Sequence, residues 1–177
     1  MHSLKTLLTN DTDIEAAGLK EKRHSADVHD FKSKINFLKK IPLFNGFANE
    51  HYIVLLDMSE EKVLPRYDIV VKQGDKSESL FILKKGHLKI YHNDSPQADI
   101  SAIDIFGEIG FISGAPRLIS VITTTESTII EISRTRFMSF FKNDDTFRNG
   151  IILNIINEIA QNPQKYKGII NNSWQSS

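Results

Sequence analysis

The sequence predicts a mainly β protein with flanking helices (α+β), an antiparallel β-roll or jelly roll with helices at its N-terminal and C-terminal ends. Two observations support this fold class. Short apolar runs of strand length, separated by turn residues, follow one another through residues 61–132. Apolar residues at helical spacing stand on both sides of them, at 31–59 and 135–161. The expected domain spans residues 31–161, between a mobile N-terminal arm at 1–30 and a C-terminal tail at 162–177.

The N-terminal helices are predicted from apolar spacing and from one proline. Phe31, Ile35 and Leu38 recur at helical intervals. Pro42 ends this helix, because the residue before a proline is biased away from the helical region. A second helix is expected to begin near Asn49.

Seven strands are predicted from apolar runs bounded by turn residues. They lie at 63–64, 69–71, 80–83, 88–91, 100–106, 119–124 and 127–132. Beyond them, Ser133 or Thr135 caps one helix, and a second follows the N-terminal signal at 144–146. The second helix carries an apolar face made of Ile151, Ile152, Ile155, Ile156 and Ile159. This face is expected to pack in the core, and it leaves open a homodimer through residues 151–159.

Composition excludes several classes of function. The chain of 177 residues has 22 basic and 22 acidic side chains, so we expect neither nucleic acid nor a membrane as a partner. Because cysteine is absent, thiolate catalysis and cysteine-ligated metals are excluded, and the six histidines lack a metal-binding spacing. No apolar stretch is long enough for a signal peptide or a membrane span. We therefore expect a cytoplasmic protein without enzymatic activity, metal or cofactor.

The most informative segment is F-G-E-I-G-F-I-S-G-A-P-R-L-I-S-V, residues 106–121. Gly107 allows a ligand to approach the backbone, and Arg117 offers a permanently charged fork that suits a phosphate. Glu108 would repel a phosphate, so it makes sense only opposite a hydroxyl donor such as a sugar. A sugar phosphate therefore fits this segment better than free phosphate. In the empty protein, Glu108 and Arg117 are expected to pair with each other.

This segment resembles the phosphate-binding cassette of cyclic-nucleotide-binding domains, the module of cAMP-dependent kinase regulatory subunits, catabolite-activator-type regulators and cyclic-nucleotide-gated channels. F-L-K-K-I-P-L-F from Phe37 and I-S-R-T-R-F-M-S-F-F from Ile132 resemble the family's entry into the roll and exit from it. The glycine-bounded hairpin from Gly74 to Gly86 is also similar, and the resemblance covers about residues 31–160.

The resemblance implies that the ligand is cAMP or, less favoured, cGMP. Glu108 then accepts the ribose 2′-hydroxyl, and Arg117 holds the cyclic phosphate. The expected ligand-binding residues are Gly107, Glu108, Ile109, Gly110, Arg117, Leu118 and Ile119. A base pocket is expected from Leu83, Ile105 and Val121, with Tyr166 and Trp174 as aromatic candidates to stack on the base. The alternative for these two aromatics is a disordered tail without a role in binding.

The sequence departs from the family pattern at three residues. Ile103 stands where glycine is usual, so the turn before the cassette is expected to differ. Leu118 and Ile119 follow the arginine where small residues are common, and Leu118 lacks the hydroxyl that favours guanine, which makes cAMP the preferred ligand. Replacing Arg117 with lysine is expected to weaken binding while leaving the stability of the empty protein nearly unchanged.

Binding is expected to move the C-terminal helices and so signal to an unidentified effector protein. Too few residues follow Gln161 for a helix-turn-helix domain, so the sequence suggests either a stand-alone sensor or a fragment of a larger kinase-type or channel-type protein. The alternative is a roll that has lost its ligand and serves protein interaction or dimerisation. In the N-terminal arm, Lys22-Arg23-His24-Ser25 resembles a basophilic kinase site or an inhibitor-type segment of regulatory subunits, but we favour a solvated charged stretch.

Overall fold

The structure, a computed structural model, describes residues 29–167. The chain divides into two compact units, of which the first ends at Phe37 and the second begins at Leu38. Helix α1 occupies residues 29–38. Within the first unit, Phe31 is exposed, and Lys34 pairs with Asp30 at 2.7 Å one helical turn away.

The second unit contains two antiparallel sheets of four strands each in the described part of the chain. The strands are β1 (Ser59–Leu64), β2 (Ile69–Val71), β3 (Ser79–Lys85), β4 (Leu88–His92), β5 (Ser95–Ile100), β6 (Ile105–Phe106), β7 (Ser120–Thr123) and β8 (Ser127–Ser133). One sheet has the order β1-β8-β3-β6, and the other has the order β2-β7-β4-β5. Consecutive strands therefore alternate between the sheets in places, as a β-roll requires. The predicted fold class is confirmed.

The core of the roll lies between the inner faces of the two sheets. Side chains alternate along a strand, so Phe81 and Leu83 of β3 point the same way and meet Ile90 of β4 and Val121 of β7 in one buried cluster. The opposite face of β3 is buried as well, because Leu80 and Ile82 are fully covered. Burial on both faces explains why β3 reads as a continuous apolar run rather than as an alternating one.

Helices precede and follow the roll, and the short helix α3 (Glu108–Ser113) lies within it, between β6 and β7. The helices around the roll are α2 (Asn49–Asp57), α4 (Arg134–Phe140), α5 (Asp145–Gln161) and α6 (residues 163–167), and a short 3₁₀ turn covers Pro42–Phe44. Ser133 and Asp144 cap α4 and α5, as their side chains accept hydrogen bonds from the amides of Arg136 and Phe147.

An aromatic cluster joins these helices. The ring of Phe137 in α4 lies 5.0 Å from Phe111 of α3, 4.9 Å from Phe141 and 5.7 Å from Phe147 of α5. Asn154 of α5 donates to the carbonyls of Leu43 and Asn45 at 2.9 and 3.0 Å, which ties the long helix to the 3₁₀ turn. The cassette helix and the C-terminal helices therefore share one packed interface.

The segment predicted as one strand at 100–106 forms the end of β5 and the separate strand β6. A turn separates them because the Asp104 side chain accepts a hydrogen bond from the amide of Ser101 at 3.2 Å. Ile103 in this turn has φ +78°, the left-handed conformation that glycine favours. The turn therefore keeps a conformation suited to glycine, although the residue itself differs.

The C-terminal helices depart from expectation in two ways. Ile151 and Ile155 of α5 are buried, whereas Ile152 and Ile156 are about half exposed, so the predicted continuous apolar face is only partly covered. Residues 163–167, assigned from sequence to a tail, are helical, and Tyr166 among them is buried. Among the described residues, no helix combines the length and hydropathy that crossing a membrane requires.

Candidate functional site

The predicted cassette forms a strand, a left-handed glycine and a short helix. Gly107 follows β6 with φ +82° and precedes α3, which begins at Glu108. A Cβ at Gly107 would collide with Nη1 of Arg117, so this position needs glycine for its backbone conformation and for the close approach of the guanidinium. A Cβ at Gly110 would likewise collide with the buried hydroxyl of Ser77.

Glu108 is buried, with 3% of its surface exposed. Its Oε1 accepts a hydrogen bond from the hydroxyl of Tyr166, which reaches it from α6. Burial, reinforced by the charge of Glu108, raises the pKa of Tyr166 far above its ordinary value. The phenol therefore keeps its proton and acts as the donor in this contact.

Arg117 is also buried, with 7% of its surface exposed. Its Nη2 donates to the carbonyl of Ser79 at 2.6 Å, its Nη1 donates to the carbonyl of Gly107 at 3.1 Å, and the guanidinium lies 5.4 Å from the ring of Phe81. Burial lowers the pKa of Arg117, while the charges of Glu131 and Glu108 oppose that effect.

The ion pair expected between Glu108 and Arg117 is not formed in the described part of the chain. Each side chain is bonded elsewhere: the carboxylate to a phenol, and the guanidinium to two main-chain carbonyls. The expectation was wrong because it considered only partners inside the cassette, whereas Ser79 and Tyr166 come from β3 and α6.

The loop before β7 is held against the turn between β2 and β3. The amide of Arg117 donates to the carbonyl of Asp75 at 2.8 Å, and the amide of Gly74 donates to the carbonyl of Arg117 at 2.9 Å. These two hydrogen bonds fix the main chain of Arg117 through both its amide and its carbonyl, which restricts the positions that its guanidinium can reach.

A polar network supports Arg117 from within the first sheet. The hydroxyl of Ser79 donates to Oε1 of Glu131, and Nζ of Lys62 donates to Oε2 at 2.6 Å. Burial alone would raise the pKa of Glu131, but the hydrogen bonds from Lys62 and Ser79 outweigh it and lower the pKa. Glu131 thus fixes Ser79, and the carbonyl of Ser79 in turn accepts a hydrogen bond from Arg117.

One small cavity, about 30 Å³ in volume, lies between the cassette and the inner strands. Nine residues predicted from sequence line it: Gly107, Glu108, Ile109, Gly110, Arg117, Leu118, Ile119, Val121 and Tyr166. Leu83 and Ile105 do not line it, since Leu83 lies in the roll core and Ile105 is buried on β6. Trp174 and Ser25 lie outside the described residues.

Sequence reasoning missed four residues that line the cavity: Val71, Ile90, Phe106 and Lys165. Val71 and Ile90 belong to predicted strands, but which of their alternating side chains faces inward depends on strand pairing. Phe106 directly precedes Gly107, so its position beside the cassette could have indicated a lining role. No sequence pattern indicated that Lys165 would line the cavity. Its Nζ donates to the carbonyl of Ile105 at 2.7 Å and lies 3.3 Å from Oε1 of Glu158, which is also buried.

The β-roll thus has a small cavity with a buried carboxylate and a buried guanidinium on its wall, an arrangement typical of a site for a small polar ligand. Residues 61–144 match the family model of the cyclic nucleotide-binding domain. The matched residues run from β1 through α4 and include the whole cassette, so this part of the chain is similar to the cyclic nucleotide-binding domain.

Individual relatives agree with this family. A cAMP-dependent protein kinase regulatory subunit of Neurospora crassa is 28% identical over 104 residues, which cover 58% of this chain and 27% of that subunit. The chain thus corresponds to about a quarter of the length of this relative.

Two solved structures share the fold. A cyclic nucleotide-binding domain from Methylobacillus flagellatus superposes with a TM-score of 0.64 at 23% identity, covering 81% of this chain and 84% of that one. The regulatory subunit of a cAMP-independent protein kinase A from Trypanosoma brucei gives a TM-score of 0.66 at 18% identity, covering 81% of this chain and 50% of that one.

Proposed function

We propose that this domain is a sensor that binds cAMP, in preference to cGMP, and relays binding through its C-terminal helices to a partner protein. The observation that carries this proposal is that Glu108 and Arg117 line the same cavity, together with the left-handed Gly107. A cyclic nucleotide has a hydroxyl for a carboxylate and a phosphate for a guanidinium. Glu108 would accept the ribose 2′-hydroxyl, and Arg117 would hold the cyclic phosphate.

The remaining contacts follow from the lining of the cavity. Main-chain amides of Gly107, Ile109, Gly110 and the residues after Arg117 would add hydrogen bonds to the phosphate and sugar. Apolar side chains of Val71, Ile90, Ile119 and Val121 offer a wall for the base. Leu118 brings no hydroxyl that would favour guanine, which supports cAMP as the ligand.

The relay we propose passes through the aromatic interface between the cassette and α4. Phe111 of α3 packs edge-on against Phe137, and Nε of Arg134 donates to the carbonyl of Phe111 at 2.6 Å. A shift of α3 on ligand binding would therefore move α4 and, through Phe147, α5. Such a signal requires that the ligand bind one arrangement better than the other.

A titration with cAMP and with cGMP tests this function. We expect cAMP to bind more tightly and to raise the melting temperature. Arg117→Lys should bind cAMP about 10- to 100-fold more weakly, because one charge-assisted hydrogen bond is lost. Arg136→Lys is the matched control, since Arg136 is exposed and pairs with Asp57 away from the cavity. If neither nucleotide changes the melting temperature at millimolar concentration, the proposal fails.

A protein-interaction role is the second candidate, favoured by the uncovered face of α5. Ile152, Leu153 and Ile156 are 42%, 60% and 55% exposed. A homodimer through residues 151–159 would cover them, and the two roles are compatible. Sedimentation over a range of protein concentrations, with and without cAMP, separates a monomeric sensor from a dimer.

A further inference from the structure

The segment after α5 turns back into the cavity. Asn162 leaves the helical conformation with φ −121° and ψ 53°, and residues 163–167 then form α6. Lys165 and Tyr166 of α6 line the cavity, and only 2% of the Tyr166 surface is exposed. The segment that follows α5 therefore forms part of the wall of the candidate binding site.

Two polar contacts hold α6 in this position. The Tyr166 hydroxyl donates to Oε1 of Glu108, and Nζ of Lys165 donates to the carbonyl of Ile105 at 2.7 Å. The ammonium of Lys165 also lies 3.3 Å from the carboxylate of Glu158, and both side chains are nearly buried. Every charged group of the contact thus has a partner while α6 is closed.

The closed segment leaves too little room for a nucleotide. The free volume is about 30 Å³, whereas sites for small ligands occupy roughly 300–1,000 Å³. Tyr166 also bonds the carboxylate that would accept the ribose hydroxyl. A phenol and a ribose hydroxyl are both neutral donors, so they would compete for the same oxygen.

We propose that Tyr166 is an intramolecular competitor that sets the affinity of the cavity for its ligand. This inference rests on the proposed function. Nucleotide binds after α6 has left the cavity, and the ribose hydroxyl then replaces the phenol on Glu108. The apparent dissociation constant then equals the intrinsic dissociation constant divided by the fraction of molecules in which α6 is open. The open state without nucleotide is weakly populated, because the carboxylate of Glu108 then lacks the hydrogen bond from Tyr166.

The proposal contrasts with the aromatic stacking role that the sequence suggested for Tyr166. A stacking residue adds affinity, so its loss weakens binding. A competitor subtracts affinity, so its loss strengthens binding. The two roles therefore predict changes of opposite sign.

The experiment measures cAMP affinity by calorimetry for the full chain and its Tyr166→Phe and Tyr166→Ala variants. Tyr166→Phe removes only the hydrogen bond and should tighten binding about tenfold. Tyr166→Ala should tighten it at least as much, because removing the ring from the wall also enlarges the cavity. Tyr67→Phe is the control, since Tyr67 is 66% exposed and does not line the cavity. Unchanged or weaker binding in both Tyr166 variants would overturn the proposal.

A second measurement needs no nucleotide. Hydrogen exchange of the amides in residues 163–167 should be faster in Tyr166→Phe than in the wild type, because α6 opens more often. If no variant binds cAMP or cGMP but this exchange is faster, the proposed function fails and the closing contact stands. If exchange is unchanged, Tyr166 does not hold α6 closed and the inference fails by itself.

Discussion

Replacing Arg117 with lysine should destabilise the protein even without ligand, which reverses the expectation from sequence that stability would stay nearly unchanged. The guanidinium bridges two main-chain carbonyls, Gly107 in the cassette and Ser79 in β3, from a buried position. A lysine ammonium is a single point of charge, so it can reach one of these carbonyls but cannot span both as the planar fork does. One of the two carbonyls then loses its donor.

The loss of stability can be derived from this one missing hydrogen bond. A hydrogen bond from a charged donor contributes about 1.5–3 kcal/mol. Part of this is offset, because the buried guanidinium has its pKa lowered chiefly by loss of solvent, and a mobile ammonium can stay better hydrated. We expect a net loss of about 1–2 kcal/mol, which lowers the melting temperature of a domain of this size by about 3–8 °C.

Urea unfolding of the nucleotide-free chain, followed by circular dichroism, measures this loss. Arg136→Lys is again the control, and because its ion pair with Asp57 is exposed we expect a change below about 0.5 kcal/mol. Identical unfolding midpoints for Arg117→Lys and the wild type would contradict the bridging role of the guanidinium. The binding comparison for this variant should be made well below both melting temperatures.

Two further predictions concern groups beside the cassette. The Ser77 hydroxyl is buried and has no hydrogen-bond partner among residues 29–167, so Ser77→Ala should raise stability by about 1 kcal/mol. Ser79→Ala, an equally buried control, should lower it, because Glu131 loses a donor. The pKa of Glu131 is lowered from its ordinary value of 4.5, so ionised Glu131 stabilises the folded state. This stabilisation is fully present above pH 4.5 and is lost as the pH falls through the lower pKa of the folded protein. Glu131→Gln should therefore flatten the acid side of the stability curve, measured by unfolding at pH 3–6; an unchanged slope would exclude the network with Lys62.

The cassette could be predicted from sequence because its parts are close along the chain. Gly107, Glu108 and Arg117 lie within eleven residues and are joined by a short helix and a tight loop, so local geometry brings them to one cavity. The β-roll could be predicted because strand-length apolar runs and turn residues are local signals as well.

The partners of the charged residues could not be predicted in the same way. Ser79 lies 38 positions before Arg117, and Tyr166 lies 58 positions after Glu108. Which side chains meet over such separations depends on strand register and on where α5 ends. The same limit explains the pairing expected between Glu108 and Arg117, and the assignment of Tyr166 to a tail.

The sequence by itself determined the class of fold, the cassette and the two residues whose charges suit a sugar phosphate, since all of these depend on neighbours along the chain. Only the tertiary structure decided that Arg117 is held by main-chain carbonyls and that Tyr166 lines the cavity and bonds Glu108. Those contacts arise where the two sheets close and the chain turns at Asn162, because buried polar groups take whatever donor or acceptor the packed core brings within reach.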